Sequence, residues 1–379
     1  EPVNGHVPLD QMDEIFNIIF YHDFEDNTPG FYNQTEWRRD WNNPAWHNRL
    51  GYAQIYPYNG QKSMKITFDQ GTWGLEDDDA ENPGGGIQFW APIPGAPYTE
   101  IYYSYNMLLK PGFDYVLSGK FPGVKGGPKE SYGPPGPTDG YTLGTSFSAQ
   151  LYPTSNEGTL GFYLYHQDQP SQYGHIRSWG DPWTSDRYFK LVATEEKWVN
   201  VCLRIVMNTI PAGGTVGNYD GLLEGYIDGR LMATWPGLRF RNVPTIGTDH
   251  MKVYAFFGGS GDQYACSRDE WILFDDFCCF TYAPGVDVAR GNQGNAWGTV
   301  LTLPNMKGSE VVIDPPPLDT EDPTAPTGLA ASAETETSFQ LNWTAATDNV
   351  GVTGYRIWIN DAFHQATTAT SFSVTACGA

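Results

Sequence analysis

Val199, Val201, Leu203, Ile205 and Met207 occupy every second position of one run, while Asn200, Arg204 and Asn208 fall between them. A repeat of two puts alternate side chains on opposite faces of an extended chain, so this run is a half-buried β-strand and not a helix. Similar segments recur between clusters of Gly, Pro, Asn and Asp: SMKITF (63–68), EIYYSYNMLLK (100–110), GTLGFYLYHQ (158–167), MKVYAFFGG (251–259) and WILFDDFCCFTY (271–282). In LEGYIDGRLMATW, Asp228-Gly229 stands between two of them as a two-residue hairpin turn. The helix candidate of note is LDQMDEIFNIIF, which reads equally as a helix leading into a strand at IIFYHDF. With 43 Gly and 28 Pro to break the segments and 15% aromatic residues to pack them, the chain is all-β. A jelly-roll β-sandwich is the economical architecture.

The stretch GSEVVIDPPPLDTEDPTAP (308–326) is acidic and Pro-rich without apolar periodicity, as a semi-rigid linker is. It divides the chain into a β-sandwich domain over 1–307 and a segment over 327–379. That segment resembles the start of a fibronectin type III module of the kind appended to secreted bacterial polysaccharide-degrading enzymes, with Trp343 and Tyr355 where that family keeps its core aromatics. Such a sandwich needs about 100 residues and seven strands. About 55 residues follow Pro323, so the module is truncated.

Lys and Arg total 22 against 44 Asp and Glu, a formal net charge of −22. Proteins that bind phosphate backbones or anionic membranes are not built this way, and no apolar run approaches the 18 residues of a membrane span. No signal peptide is visible at Glu1, which fits a secreted chain already processed. Cys202, Cys266, Cys278, Cys279 and Cys377 show no metal-type pair and leave a structural disulfide among the first four open. Neighbours Cys278 and Cys279 point to opposite faces of their strand.

Against this acidic background one place stands out. Of ten lysines, Lys110, Lys120, Lys125 and Lys129 lie within twenty residues, broken by Asp114, for a local balance of about +3. A strand here leads into a Gly-studded loop carrying exposed cations, a site for a short anionic group or simply a solvated loop. Its sequence, YYSYNMLLKPGFDYVLSGKFPGVKGG, resembles the signature of the family-14 polysaccharide lyases, an aromatic strand followed by a Gly-Lys-[Leu/Phe]-Pro-Gly loop. KWVNVCLRIVMN, LLEGYIDGRLMATW and KVYAFFGGSGDQYACSRDEWILFDDF follow in the family's order, with Phe257 to Ser260 the second specific element. The resemblance spans roughly residues 85–282.

It implies a jelly-roll lyase that cleaves a 4-linked uronic-acid polysaccharide such as alginate, glucuronan or ulvan by β-elimination, acting as a monomer and needing no cofactor. Such an enzyme must neutralise the uronate carboxylate, take the weakly acidic C5 proton and protonate the departing O4. Lys120 matches the family's catalytic lysine, to stabilise the enolate-like intermediate or to act as base if its pKa is lowered. Tyr163 and Tyr165, two apart and hence on one strand face, match a Tyr-x-Tyr pair, with Tyr165 the main acid/base and Tyr163 its support. Where the family has Ser-x-Arg, this chain has Ser148-Ala149-Gln150. An amide brings no charge, so carboxylate neutralisation falls on Lys120 with another cation, Lys125 or Arg177.

His175, Arg177 and Trp179, with Trp183, form an aromatic-rich loop suited to sugar stacking and carboxylate contact. Arg38-Arg39 between Trp37 and Trp41 is a weaker site of the same type, and Gln88 in GGGIQFW is a further carboxylate contact. His166 points away from Tyr165. The metal signals are weak: Asp77-Asp78-Asp79, and a structural calcium tying Glu25 of the DFED segment to Asp276 of FDDF, against the reading of a solvated acidic face. Two other readings stay open. A jelly-roll glycoside hydrolase would need Glu224 with Asp228, or Asp275 with Asp276, facing one cleft at about 5–10 Å. A carbohydrate-binding protein would need the aromatics and no chemistry.

Overall fold

The Asp228-Gly229 turn has positive φ at both residues (48° and 78°), the type I′ geometry that matches the twist of paired strands. It joins two antiparallel strands paired from Ile227↔Arg230 outward, with the register shifting between Tyr226 and Gly225 and again between Leu222 and Gly221. The computed structural model describes residues 16–74, 85–128, 144–153, 158–171, 173–179, 191, 196–259, 261–282, 323–335, 338–347, 352, 355–359, 362–367 and 369–375. Asp77 to Asp79, Lys129, Trp183, Ser260, Cys377, the N-terminal helix candidate before Phe16 and the linker up to residue 322 lie outside them.

The strands in chain order are β1 (Phe16–His22), β2 (Gly30–Phe31), β3 (His47–Asn48), β4 (Ala53–Tyr58), β5 (Gln61–Phe68), β6 (Ile87–Pro92), β7 (Glu100–Leu109), β8 (Gly119–Lys120) and β9 (Gly123–Gly126). There follow β10 (Phe147–Pro153), β11 (Leu160–Tyr165), β12 (His175–Ser178), β13 (Trp198–Val206), β14 (Gly221–Ile227), β15 (Arg230–Leu238), β16 (His250–Phe257) and β17 (Glu270–Tyr282). One short helix, α1 (Gln34–Asp40), is capped by the Asn33 side chain, which accepts from the backbone of Thr35 and Glu36. Among the described residues, nine strands form one sheet along β15-β14-β13-β7-β17-β5-β4-β2, with β1 on β17. Eight form the other, along β12-β11-β10-β9-β16-β6-β3, with β8 on β16. No described helix is long and apolar enough to cross a membrane.

The inner faces of these sheets share one core. Val199, Val201, Leu203, Ile205 and Met207 from β13 and its end join Tyr103, Tyr105 and Met107 of β7 and meet Val124, Ala149, Leu151, Phe162, Leu164, Met251 and Val253 of the eight-stranded sheet. The alternate face of β13, expected to be solvated, is buried too. Arg204 there bonds Glu224 at 3.0 Å and Glu100 at 2.8 Å, and Tyr226 donates to Glu224 at 2.6 Å. A second apolar cluster of Phe16, Tyr102, Cys202, Tyr226, Leu231, Cys278 and Phe280 covers the same face.

Cys202, Cys266, Cys278 and Cys279 are free thiols, so no disulfide joins any of these four. Cys279 faces the main core and Cys278 the second cluster, as alternation requires. Asp275 and Asp276 are buried, in contrast to a solvated acidic face. Ser63 donates to Asp275, and Tyr21 and Asn106 donate to Asp276, each at 2.7 Å. Glu25 instead accepts from the backbone of Lys62. What ties the two ends together is the β1–β17 ladder with the Tyr21–Asp276 bond. No group of three or more His, Cys, Asp or Glu among the described residues is placed to hold a metal ion.

The chain divides into two compact units, with β1–β17 in the first. The second holds β18 (Thr327–Ser332), β19 (Ser338–Thr344), β20 (Tyr355–Ile359), β21 (Ala362–Thr367) and β22 (Ser371–Thr375), paired as β18-β19-β22 and β20-β21. Trp343 packs edge-on to Tyr355 at 5.2 Å.

Candidate active site

Because residues paired across a ladder share a face, the register of the eight-stranded sheet arranges its outer side chains in rows. One row runs Trp90, Lys252, Gly123, Gln150, Tyr163 and Ile176 across β6, β16, β9, β10, β11 and β12. Beside it run Pro92, His250, Lys125, Ser148 and Tyr165. On the other side Gln88 pairs with Tyr254, and Tyr152 with Gly161. Lys120 enters from β8, opposite Phe256. Of the residues expected at the site, Lys120, Lys125, Tyr163, Tyr165, Ser148, Gln150 and Gln88 thus lie on this one face, although they come from five separate strands.

The Lys120 ammonium sits 4.1 Å from the Tyr163 ring centre and 4.2 Å from that of Tyr152. Its stem keeps partial contact with solvent, but the charged end is enclosed, and this desolvation pulls its pKa down to about 7. The loop that carries it is braced by the second motif: Gly258 donates to the Ser118 carbonyl and Ser118 Oγ to the Gly258 carbonyl, each at 3.1 Å. Tyr163 and Tyr165 hydroxyls are 3.3 Å apart, and Gly174 N–H donates to Tyr163 at 3.0 Å. A Cβ on Gly174 would lie 2.3 Å from the Tyr163 ring, so this approach requires glycine. The pair is a hydroxyl relay beside an amine that titrates near neutrality, a combination able to move protons in both directions.

Ser148 Oγ, Gln150 Oε1 and Gln88 Oε1 are buried with no protein hydrogen-bond partner among the described residues. They form polar floor positions able to meet the hydroxyls of a bound chain. Gln88 Nε2 donates to the Tyr254 hydroxyl, to which Trp90 Nε1 also donates at 2.8 Å. The outward-facing atom left to Gln88 is therefore a carbonyl oxygen, which suits a sugar hydroxyl and not the expected carboxylate.

The lysine run does not form one exposed loop. Lys110 pairs with Glu270 at 3.6 Å, away from Lys120. Lys125 is buried, donates to the Gly127 carbonyl at 2.8 Å, and lies 3.8 Å from Asp249 and 5.1 Å from the Trp90 ring. The structure also overturns the QYGHIRSWGDPW stacking loop. Trp179 is fully buried against Phe162, so it is core and presents no face to a sugar. His175 and Arg177 belong to strand β12, opposite Leu164 and Phe162 of the core face, and therefore point away from Tyr163. Both sit against Trp235 of the other sheet, and His175 Nδ1 is 3.1 Å from His166 Nε2. Burial pushes His166 down to about 4 and lowers His175 as well. Trp37 and Trp41 are likewise core, while Arg39 pairs with Asp40 and Arg38 bonds Asn43.

The carboxylates a hydrolase would need are elsewhere. Glu224 and Asp275 are wholly buried in the nine-stranded sheet, Glu224 on Arg204 and Tyr226 and Asp275 on Ser63. Asp228 accepts from the Asn200 backbone in its turn. None lies on the lysine–tyrosine face.

Lys252, Tyr254, Trp90, Tyr152 and His250 belong to this face and were not singled out from the sequence. Strand alternation in MKVYAFFGG carries the signal, since it puts Lys252, Tyr254 and Phe256 on one side. A charge count along the chain misses it, because Lys252 reaches the cationic group only through sheet pairing.

The family description Polysaccharide lyase 14 matches residues 57–277, more than half of the chain, and the protein belongs to that family. Its fold is similar to that of alginate lyase vAL-1 from Chlorella virus (TM-score 0.54, 20% identity, 70% of this chain and 100% of that one). It is also similar to the marine alginate lyase from Aplysia kurodai (0.52, 20%, 70% and 99%) and to alginate lyase Aly36B (0.51, 19%, 69% and 95%). Shorter stretches match Chitinase A1 of Niallia circulans, 53% identical over 60 residues, and Exoglucanase A of Cellulomonas fimi, 53% over 53 residues. These cover 16% and 14% of this chain, which spans only 8% and 6% of those two enzymes.

Proposed function

We propose that the protein is a secreted lyase that cleaves a 4-linked uronic-acid polysaccharide, of the alginate, glucuronan or ulvan type, by β-elimination. The observation that carries this reading is the Lys120 amine, held near neutrality over Tyr163 and beside the Tyr163–Tyr165 relay. The neutral Lys120 amine takes the C5 proton. The C5–H electrons form the C4=C5 double bond, the C4–O4 bond breaks, and Tyr165 protonates the departing oxygen. One product carries an unsaturated uronosyl end and the other a new reducing end, with no water consumed. Tyr163 positions Tyr165 and returns its proton, while Ser148, Gln150 and Gln88 orient the sugar.

The three alginate lyases of similar fold support the uronate class; Aly36B has been seen with an alginate tetrasaccharide. The second unit we read as a fibronectin type III-like accessory module, joined through the linker at 308–326. The Trp343–Tyr355 packing supports this, as do the short matches to a chitinase and an exoglucanase, whose 53–60 residues equal its size.

The test is incubation with alginate, glucuronan and ulvan, following the ultraviolet absorbance of the conjugated product. At least one is expected to give a rising signal that weakens below about pH 7, where Lys120 gains its proton. Absence of signal on all three with the fold intact, or release of reducing ends without absorbance, defeats the reading.

A further inference from the structure

In β5 the core takes Met64, Ile66 and Phe68, so alternation turns Ser63, Lys65 and Thr67 to the outer face of the nine-stranded sheet, on the far side of the sandwich from Lys120. Lys62, at the start of the same strand, donates to the carbonyls of Glu25 and Asn27. Lys65 has no such acceptor: among the described residues no hydrogen bond or ion pair engages its ammonium, and two rings flank it instead. The Tyr56 ring, from β4 on one side of β5, is 4.5 Å away, and the Trp271 ring, from β17 on the other side, is 5.4 Å away. Burial against these rings pulls the amine below the ordinary lysine value, and no carboxylate contributes a counter-charge. Tyr56 is 39% exposed. Gln54, directly opposite Lys65 on β4, is exposed as well, and the row continues to Phe31, which is 59% exposed.

Aromatic faces attract a cation but offer it no hydrogen-bond acceptor, so the N–H groups of Lys65 are left to solvent or to a ligand. A desolvated cation between exposed rings, with an amide across the ladder, suits a sugar unit that brings C–H faces to the rings and a carboxylate to the ammonium. In a chain of net charge −22, a lysine without a carboxylate partner is also a point where a polyanion meets least repulsion. We propose that Lys65, Tyr56, Trp271 and Gln54 form a second, non-catalytic binding site for an anionic polysaccharide, which holds the chain at a uronate remote from the bond that is cleaved. The ligand class rests on the lyase reading above. A polymer long enough to engage both faces rebinds the catalytic one at a raised effective concentration, whereas a short oligosaccharide occupies each site separately.

The experiment counts bound oligosaccharide by calorimetric titration of Lys120→Ala protein with short alginate, glucuronan and ulvan fragments, and measures KM of the active enzyme on polymer and on fragments. Two fragments of the preferred polyuronide are expected per Lys120→Ala chain, and one after Lys65→Met or Tyr56→Ala is added. Lys65→Arg, which keeps the charge, is expected to retain both. In the active enzyme Lys65→Met should raise KM for the polymer about tenfold and leave kcat/KM on fragments within about twofold. A lysine that merely steadies the sheet would lower thermal stability without changing the count. One fragment or none per Lys120→Ala chain, two retained by folded Lys65→Met, or an unchanged polymer KM overturns the proposal. Should Lys65→Met not fold, the Tyr56→Ala count decides. If the unaltered enzyme cleaves no polyuronide, the lyase reading fails, a result read from absorbance and independent of the binding count, so the two failures are distinguishable.

Discussion

The two sheets present outer faces of opposite electrostatic design. On the nine-stranded sheet, buried charges are closed on one another: Arg204 between Glu224 and Glu100, Asp275 on Ser63, Asp276 on Tyr21 and Asn106. On the eight-stranded sheet, Lys120 and Lys125 act on Lys252, and Ser148, Gln150 and Gln88 hold oxygens without a hydrogen-bond partner among the described residues. Burial alone does not distinguish them, because both faces bury charge. The kind of charge does: carboxylates close on an arginine and on hydroxyl and amide donors in one sheet, while three lysines gather on the other. A closed network stabilises the sheet, whereas buried acceptor oxygens without a partner among the described residues suit hydrogen-bond donors such as hydroxyls.

The sharpest break of this comparison is Lys120→Ala. On the open face it is expected to cut kcat by about 10³-fold or more while the melting temperature stays close to that of the parent, as an activity assay with thermal unfolding would show. Tyr165→Phe, which deletes one hydroxyl, should lower kcat by about 10²-fold or more with little change in KM. On the closed face the outcome reverses: Glu224→Ala strands Arg204 and should cost about 3–5 kcal/mol in denaturant unfolding, yet the folded fraction keeps its turnover.

A subtler contrast is pH dependence. Lys120 titrates near 7 in the folded chain against 10.5 for an ordinary lysine. Between those values the unfolded chain holds a proton that the folded one has released, so stability rises with pH across this window. The burial penalty is fully present below pH 7 and gone above 10.5. Lys120→Met should flatten that rise, measured as unfolding free energy against pH, and an unchanged slope would contradict the lowered pKa. The smallest effect belongs to Arg177→Met: facing Trp235, it should leave kcat/KM within about twofold. A large loss there would return Arg177 to the site.

Much of the site was legible from residues close in the chain. Tyr163 and Tyr165 share a face through strand periodicity alone, and Lys120 belongs to a loop with its own signature. Trp179 was misjudged because a Trp among Gly, Ser and Asp reads as surface, whereas the edge of β12 turns it inward against Phe162 and under Gly225, where a Cβ would strike its ring at 2.4 Å. Lys252 was passed over for the converse reason. Lys120 and Lys125, which act on it, are more than a hundred residues away in the chain, and the pairing of β16 with β8 and β9 brings them close.

The sequence by itself determined that these segments are strands, where they turn and which side chains share a face, because backbone alternation and turn geometry are local physics. Only the tertiary structure decided which polar face would close carboxylates on an arginine and which would gather lysines and tyrosines. That choice depends on which strands become neighbours, and a ladder joins residues whose separation along the chain carries no trace of their separation in space.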